Sequence, residues 1–433
     1  MKCLLAISMA ITALLAPFNR AVAFQEPIAE PNGFSASTLP ASSVNINSRY
    51  RIEAVSILSG PFQVSKALQR EMNRLAGRPY RTETLDHLEL RIKQEFPGFR
   101  VSRNVARGEK QDQLKVTFAL ERSTRWIELN SPRFAYHSQQ DFSVGVGADI
   151  FIKSTSLNLG YITDNDVKVE RFSGVHGALF TPIGTSHFKF GFIGESYRAQ
   201  WDDRTLQAAN LRSEPTLYRA RTNFEPTVIY DVAPGLQLRA GFSFNNFEYQ
   251  VPVAKDQAAN AVFTTLRYSK QWQLGLASTN TLEAGYTLRA AANFIGSDFD
   301  YRRHTGEAKF TIASGNSEKT PATLSFSTLV GAIDGNAPIL DRYVLGNSHT
   351  LRGWNRFDLA PLGADRVIHF SADGRYHFVR AVYDTGTLWN AGRPKILRHS
   401  AGIGIMISGI TAMVACPIRS GSIEPIFLVG MNF

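Results

Sequence analysis

Residues 142–153 read FSVGVGADIFIK, and their alternation decides the fold class. Every second residue from Phe142 is apolar, whereas the residues between them are small or polar, with Phe151 as the exception. A period of two is that of a β-strand with one apolar face and one polar face. From about residue 124 to the end of the chain we count near sixteen such segments, separated by turn residues and polar loops, and we find no convincing helix.

The N-terminus predicts export from the cytoplasm. Residues 1–23 place Lys2 before an apolar run of about a dozen residues and end in the small residues Ala-Val-Ala, which is the pattern of a secretory signal peptide. Residues 24–48 are rich in Pro, Ser, Ala and Asn and read as a linker. Alternating strands in an exported chain are typical of a transmembrane β-barrel, in which closure satisfies every backbone polar group. A large soluble β-sandwich or propeller is the alternative.

One stretch is long and apolar enough to suggest a membrane helix. Residues 399–418 contain no Asp, Glu, Lys or Arg. However, isoleucines alternate with Gly and Met at 402–407, and Ser408-Gly409 interrupts the stretch as a tight turn would. This pattern favours a β-hairpin over a helix.

Residues 49–122 differ in pattern and predict a small α+β domain of order β-α-α-β-β. Two helices are indicated by apolar residues at helical spacing, which end at Gly77 and at Pro97-Gly98. These residues are Val64, Leu68, Met72 and Leu75 for the first helix, and Leu85, Leu88, Ile92 and Phe96 for the second. The segment holds fifteen Lys/Arg and nine Asp/Glu, a basic surplus that fits solubility or an anionic surface. Export argues against a nucleic-acid partner.

A charged loop stands out among the strands of the C-terminal third. Residues 349–357 read HTLRGWNRF. Two predicted strands come next, and their polar faces include Asp373 and Asp384. If the chain reverses near Phe378-Val379, the two acids lie nearly opposite each other on the inner wall, where they repel. We expect Arg352 to fold into the barrel between them, because a guanidinium can bind both carboxylates through charge-assisted hydrogen bonds. Gly353 and Trp354 then provide close backbone approach and packing on the wall.

These motifs carry a resemblance to a known family. Leu351-Arg352-Gly353-Trp354, the strand SADGRY at 371–376 and the strand VYDTGTLW at 382–389, which contains Gly386, resemble three motifs of the BamA/TamA/two-partner-secretion superfamily. The members are outer-membrane assembly and translocation barrels with the bacterial surface antigen fold. The terminal residue Phe433 fits the family's C-terminal assembly signal, and its periplasmic POTRA domain is β-α-α-β-β. Here only one POTRA-like unit fits, where characterised members usually carry more.

The resemblance implies a mainly β protein with a signal peptide (1–23), a linker (24–48), one POTRA-like periplasmic domain (49–122) and a transmembrane antiparallel barrel of about sixteen strands (124–433). It implies a location in the bacterial outer membrane. Its expected partners are the lipid bilayer, unfolded outer-membrane or secreted polypeptides as clients, and periplasmic chaperones. We expect no enzyme activity, no metal and no other cofactor, because neither a Ser/His/Asp grouping nor paired metal ligands stand out. A passive pore or structural barrel is the alternative function.

Overall fold

The computed structural model describes residues 50–58, 64–96, 99–122, 127–152, 154–164, 166–184, 187–211, 217–249, 256–274, 278–314, 322–419 and 424–431. The predicted signal peptide, the linker and Phe433 lie outside the described residues.

The N-terminal part is a three-stranded sheet with two helices packed on one face. Its elements are β1 (Arg51–Leu58), α1 (Lys66–Leu75), α2 (Thr82–Glu95), β2 (Phe99–Arg107) and β3 (Gln113–Arg122). The order in the sheet is β1-β3-β2, with β1 parallel and β2 antiparallel to β3, so that β1 and β2 are the edges.

Local signals and apolar packing explain why these helices form where they do. Ser65 caps α1, since its hydroxyl accepts a hydrogen bond from the backbone N–H of Leu68 at 3.1 Å. Gly77 follows the end of α1 with φ +79°, a conformation that glycine adopts without strain. Most apolar residues of both helices are buried against the sheet in one core that includes Leu68, Ile92 and Phe118, whereas Leu90 is 48% exposed.

The rest of the chain is a closed antiparallel barrel, as the alternation predicted. Its strands are β4 (Ile127–His137), β5 (Asp141–Ile152), β6 (Thr155–Asp164), β7 (Arg171–Pro182), β8 (Phe188–Gln200), β9 (Tyr218–Ala233), β10 (Leu236–Tyr249), β11 (Gln257–Ala258), β12 (Ala261–Leu274), β13 (Ser278–Ala291), β14 (Asp300–Ser314), β15 (Ala322–Asn336), β16 (Arg366–Tyr376), β17 (Val379–Trp389), β18 (Arg398–Ile407), β19 (Ile410–Pro417) and β20 (Ile426–Met431). Leaving aside β11, a two-residue strand that pairs with the end of β10, the described residues form sixteen strands.

The inward and outward faces follow the parity of the sequence. In β5, Phe142 and Val146 are 53% and 51% exposed on the outer surface, whereas Ser143 and Asp149 on the other parity are buried. An apolar exterior around a polar interior is what a barrel in lipid requires, since only the outer face meets hydrocarbon.

The barrel closes where β20 pairs with β4, and we call this pairing the seam. In the described residues it contains four register pairs, from Leu428–His137 to Met431–Phe134. By comparison, β12 and β13 pair over their whole length, from Ala261–Ala291 to Leu274–Ser278. The seam is therefore short in the part of the chain that the structure describes.

The charge-free stretch at 399–418 forms the predicted hairpin. Strands β18 and β19 are joined by Ser408 and Gly409, whose φ angles of 50° and 86° are both positive. Two positive φ angles are those of a two-residue turn that matches the twist of its strands. In the described residues, no helix has the length and apolar character needed to cross a membrane.

The expectation that no helix follows residue 124 was wrong. Helix α3 (Asp203–Leu211) lies between β8 and β9, and the single turn α4 (Arg356–Leu359) lies between β15 and β16. Both begin at a cap that alternation does not reveal. Asp202 accepts a hydrogen bond from the N–H of Arg204 at 2.9 Å, and Asn355 accepts one from the N–H of Phe357 at 3.2 Å. Two 3₁₀ turns, Asn293–Ile295 and Ile339–Asp341, complete the elements of the described residues.

Candidate functional site: a loop docked inside the barrel

The segment between β15 and β16, residues 337–365, fills part of the barrel interior, and we call it the lumen loop. Its side chains Tyr343, Leu345, Leu351 and Trp354 are buried and form one apolar cluster with inward-facing strand residues such as Val367. Burial of four large apolar side chains holds the loop against the wall, since each contributes roughly 1.5–3 kcal/mol relative to exposure.

Arg352 is the polar centre of this loop and makes five hydrogen bonds to the wall. Its backbone N–H and its Nε donate to Oδ2 of Asp384 at 3.0 and 2.9 Å, and its Nη2 donates to Oδ1 of the same carboxylate at 2.8 Å. Nη1 donates to Oδ2 of Asp373 at 2.9 Å, and Nη2 also donates to the hydroxyl of Ser371 at 2.7 Å. The carboxylate of Asp384 is thus bound in the bidentate geometry that only a guanidinium allows.

The two acids are diagonal neighbours rather than opposite each other. The turn lies at His377-Phe378, with His377 at φ 54°, one residue earlier than predicted, so that Tyr376 pairs with Val379. Asp384 therefore faces Ser371, and Asp373 faces Val382. The predicted register was wrong by this small shift. The side chain of Arg352 nevertheless reaches both carboxylates, because diagonal neighbours lie within reach of a long side chain.

The loop glycine and tryptophan lie against the last strands of the barrel. A Cβ on Gly353 would come within 2.5 Å of the backbone carbon of Cys416 on β19 and 2.7 Å of the Cβ of Ser400 on β18. Only glycine permits this approach. The indole Nε1 of Trp354 donates to the carbonyl of His399 at 2.8 Å.

Gly386 on β17 leaves space for the loop to pack. A Cβ added there would lie 3.0 Å from Cδ1 of Leu345 and 3.0 Å from the carbonyl oxygen of Ile368. Leu345 is itself fully buried. The three acidic-strand residues singled out from the sequence, Asp373, Asp384 and Gly386, thus all contact the loop region, whereas Phe433 lies outside the described residues.

Two features of the loop backbone set the direction of Arg352. The side-chain carbonyl of Asn347 accepts hydrogen bonds from the N–H groups of His349 and Thr350 at 2.9 and 2.8 Å, which closes a tight turn. Leu351 then adopts φ 49°, a left-handed conformation that is unusual for a residue with a side chain. The chain reverses there, and Arg352 points at the wall.

Sequence reasoning missed three residues of this site. Arg380 on β17 makes contacts of 2.6 to 3.1 Å with both oxygens of Asp373, so this acid has two cations. His369 on β16 accepts a hydrogen bond from the N–H of Leu351 at 3.2 Å through Nε2. Ser371 binds Arg352 as described above. All three lie on the inward parity of their strands, which is the signal that could have marked them.

The fold and this site define a class of protein: a closed antiparallel barrel with a small α+β domain before it and an arginine-bearing loop docked on the inner wall. The profile of the Omp85 superfamily domain matches residues 98–413. This is well over half of the chain, so the protein belongs to the Omp85 superfamily, which confirms the resemblance found in the motifs.

Solved structures of BamA and CdiB have a similar fold. BamA from Haemophilus ducreyi, in a form lacking POTRA domains 1–3, superposes with a TM-score of 0.55 at 16% identity over 89% of this chain and 85% of that one. CdiB from Acinetobacter baumannii gives a TM-score of 0.56 at 12% identity over 89% and 74% of the two chains. CdiB from Escherichia coli gives 0.56 at 10% identity over 89% and 76%. The chain matches none of the curated proteins with which it was compared.

Proposed function

We propose that this protein inserts or translocates other polypeptides at the bacterial outer membrane, with its N-terminal domain in the periplasm. The observation that carries the proposal is the docked Arg352 loop in a barrel of the Omp85 superfamily. A loop held by buried ion pairs occupies part of the interior, whereas a passive pore has no need of such a fixed element. The docked loop also contacts the barrel wall close to the strands that pair at the seam.

In this proposal the seam opens toward lipid and offers its strand edges to a client. An unpaired strand edge is a template for a new strand, because its N–H and C=O groups lack partners. The seam has four register pairs in the described residues, fewer than the eight that join β18 and β19 from Ser400–Pro417 to Ile407–Ile410. A shorter ladder has fewer hydrogen bonds to break.

The N-terminal domain receives the client before it reaches the barrel. Strands β1 and β2 are the edges of its sheet, and either can accept an extended segment of an unfolded polypeptide. Periplasmic chaperones are proposed as the source of such clients. The mechanism uses no nucleotide, since strand pairing itself provides the driving force.

The test is a disulfide across the seam in purified protein reconstituted into lipid vesicles. Tyr136 and Val429 are register partners with outward side chains, so cysteines at both positions, with Cys416→Ala to remove the buried thiol, can lock the seam. The matched control places cysteines at Ile403 and Val414, which are register partners within the β18–β19 hairpin. Folding of a denatured outer-membrane barrel added as client is measured by its heat-modifiable migration.

We expect the oxidised seam variant to lose most of its effect on client folding and to regain it on reduction, while the oxidised control stays active. Equal activity of the oxidised and reduced seam variants would contradict lateral opening. Vesicles in which the unmodified protein does not speed client folding, but conducts ions steadily in single-channel recordings, would instead support the alternative of a passive pore.

A further inference from the structure

The lumen loop is fixed to the wall at a second place, which the sequence did not indicate. Four residues before Arg352, the backbone N–H of Ser348 donates to both oxygens of Asp166 at 3.0 and 3.1 Å, and its hydroxyl also donates to that carboxylate. Asp166 lies between β6 and β7, and Ser348 is separated from it by 182 residues. Both side chains are buried.

This second anchor includes a cation from the first strand of the barrel. Arg133 on β4 donates to Asp166 at 2.9 Å, lies 3.2 Å from a carboxylate oxygen of Asp164, and contacts Nε2 of His349 at 3.2 Å. Asp164 in turn accepts hydrogen bonds from the N–H groups of Asp166 and its neighbour at 2.8 and 3.0 Å, which directs Asp166 inward. Buried carboxylates and a buried guanidinium are stable here because each has an ionic partner.

Two more hydrogen bonds hold the loop on this side of the barrel. The side-chain amide of Gln140, in the turn between β4 and β5, donates to the carbonyl of Gly346 at 2.7 Å. The guanidinium of Arg356 donates to the backbone carbonyl of Lys168. All of these wall partners belong to β4 or to turns that follow β4 and β6.

The two anchors therefore lie on opposite sides of the seam. Arg352 and Trp354 bind strands β16, β17 and β18, which precede the seam, while Ser348 and His349 bind β4 and the β6–β7 segment, which follow it. We propose that the lumen loop is a strap across the seam, and that the Ser348–Asp166 contact is where the strap releases when the seam opens. The role of release in assembly rests on the proposed function, but the strap itself does not.

The difference in chemistry between the anchors decides which one releases. The guanidinium of Arg352 belongs to the loop and forms ion pairs with two carboxylates of the wall. Undocking would separate these buried charges, which is strongly unfavourable. At the second anchor Ser348 contributes neutral donors, and the loop's Arg356 donates to a backbone carbonyl rather than to a carboxylate. The cation Arg133 belongs to the wall and stays beside Asp166 and Asp164 when the loop leaves. Breaking the Ser348–Asp166 contact leaves Asp166 paired with Arg133, so it costs less than separating Arg352 from its carboxylates.

The strap is tested by amide hydrogen exchange of the protein in lipid nanodiscs, which needs no client. Exchange at a backbone N–H reports how often its hydrogen bond opens. Ser348→Ala removes a hydrogen bond to a charged group, an interaction strong enough to change an opening equilibrium about tenfold. We expect exchange of the β4 and β20 amides to rise by about that factor, while the β12–β13 amides, far from the seam, do not change.

Two further variants keep the outcome clear. Asp166→Asn preserves shape but weakens the acceptor, so it should raise seam exchange in the same peptides even if Ser348→Ala folds poorly. Asp358→Asn is the matched control, because Asp358 lies on the same loop with its side chain 61% exposed, 3.6 Å from Arg204. Unchanged seam exchange in both test variants, or an equal rise throughout the barrel, would overturn the strap. If amide exchange rises only at the seam and client folding is unaffected, the result supports the strap but contradicts the proposed function.

Discussion

Replacing Arg352 by alanine should strongly destabilise the docked loop. The substitution removes the only guanidinium bound to Asp384 among the described residues, and Asp384 is fully buried. Leaving a buried charge without its partner costs about 3–5 kcal/mol. Asp373 should contribute less to this loss, because Arg380 still binds both of its oxygens and its side chain is 22% exposed.

The physical origin of the cost can be isolated with a second substitution. Arg352→Ala leaves the carboxylate of Asp384 without a cation, and Asp384→Asn removes that negative charge. The double variant should therefore be more stable than the sum of the two single losses predicts. Asp373→Asn combined with Arg352→Ala should show weaker coupling, since Arg380 neutralises that acid independently. Arg352→Lys should rescue only in part, because an ammonium cannot make the forked contacts with Asp384.

The measurement is the free energy of unfolding of the barrel in lipid vesicles, taken from urea titrations followed by tryptophan fluorescence. Trp354, on the loop itself, is one of the five tryptophans that contribute to this signal. The refuting result is strict additivity of Arg352→Ala and Asp384→Asn, which would mean that the ion pair contributes nothing to docking. Equal coupling to Asp373 and Asp384 would show that Arg380 does not protect Asp373.

Three other predictions concern the N-terminal domain, the C-terminal residue and the packing of the loop. Residues 49–122, expressed alone, should fold into a soluble domain with helix and strand signals in circular dichroism; a random-coil spectrum would show that the domain boundary is wrong. Deleting Phe433 should reduce the amount of heat-modifiable barrel in the membrane while leaving the assembled fraction as active per molecule, and unchanged levels would count against an assembly role. Gly386→Ala should destabilise the docked loop by about 1–3 kcal/mol through crowding against Leu345. Gly194→Ala, where a Cβ meets nothing within 4 Å, is its control, and equal losses would contradict the packing argument.

The barrel and its inward face could be predicted because strand parity is a local property. Period-two alternation in single segments such as 142–153 is enough to assign both faces, and Asp373, Asp384 and Arg352 stand out against it. The exact register could not be predicted, because it depends on whether the turn begins at His377 or one residue later. Strand alternation contains no information about that choice.

Contacts between distant segments could not be predicted either. Ser348 and Asp166 are 182 residues apart, and nothing near either residue in the sequence indicates the other. Arg133 lies next to a bulge in β4, where the register with β5 shifts between Asn130 and Arg133, so its direction does not follow from simple alternation. Such pairs are determined by the closure of the whole barrel.

The left-handed conformation of Leu351 has a consequence for how firmly the loop can hold. The residue is buried at φ 49° between the two anchors, and for a residue with a side chain this conformation costs roughly 1–2 kcal/mol. Neighbouring contacts have to maintain that strain while both ends are bound. Once one end detaches, Leu351 can relax to an ordinary backbone angle. Relief of this backbone strain therefore offsets part of the free energy that undocking of the loop costs.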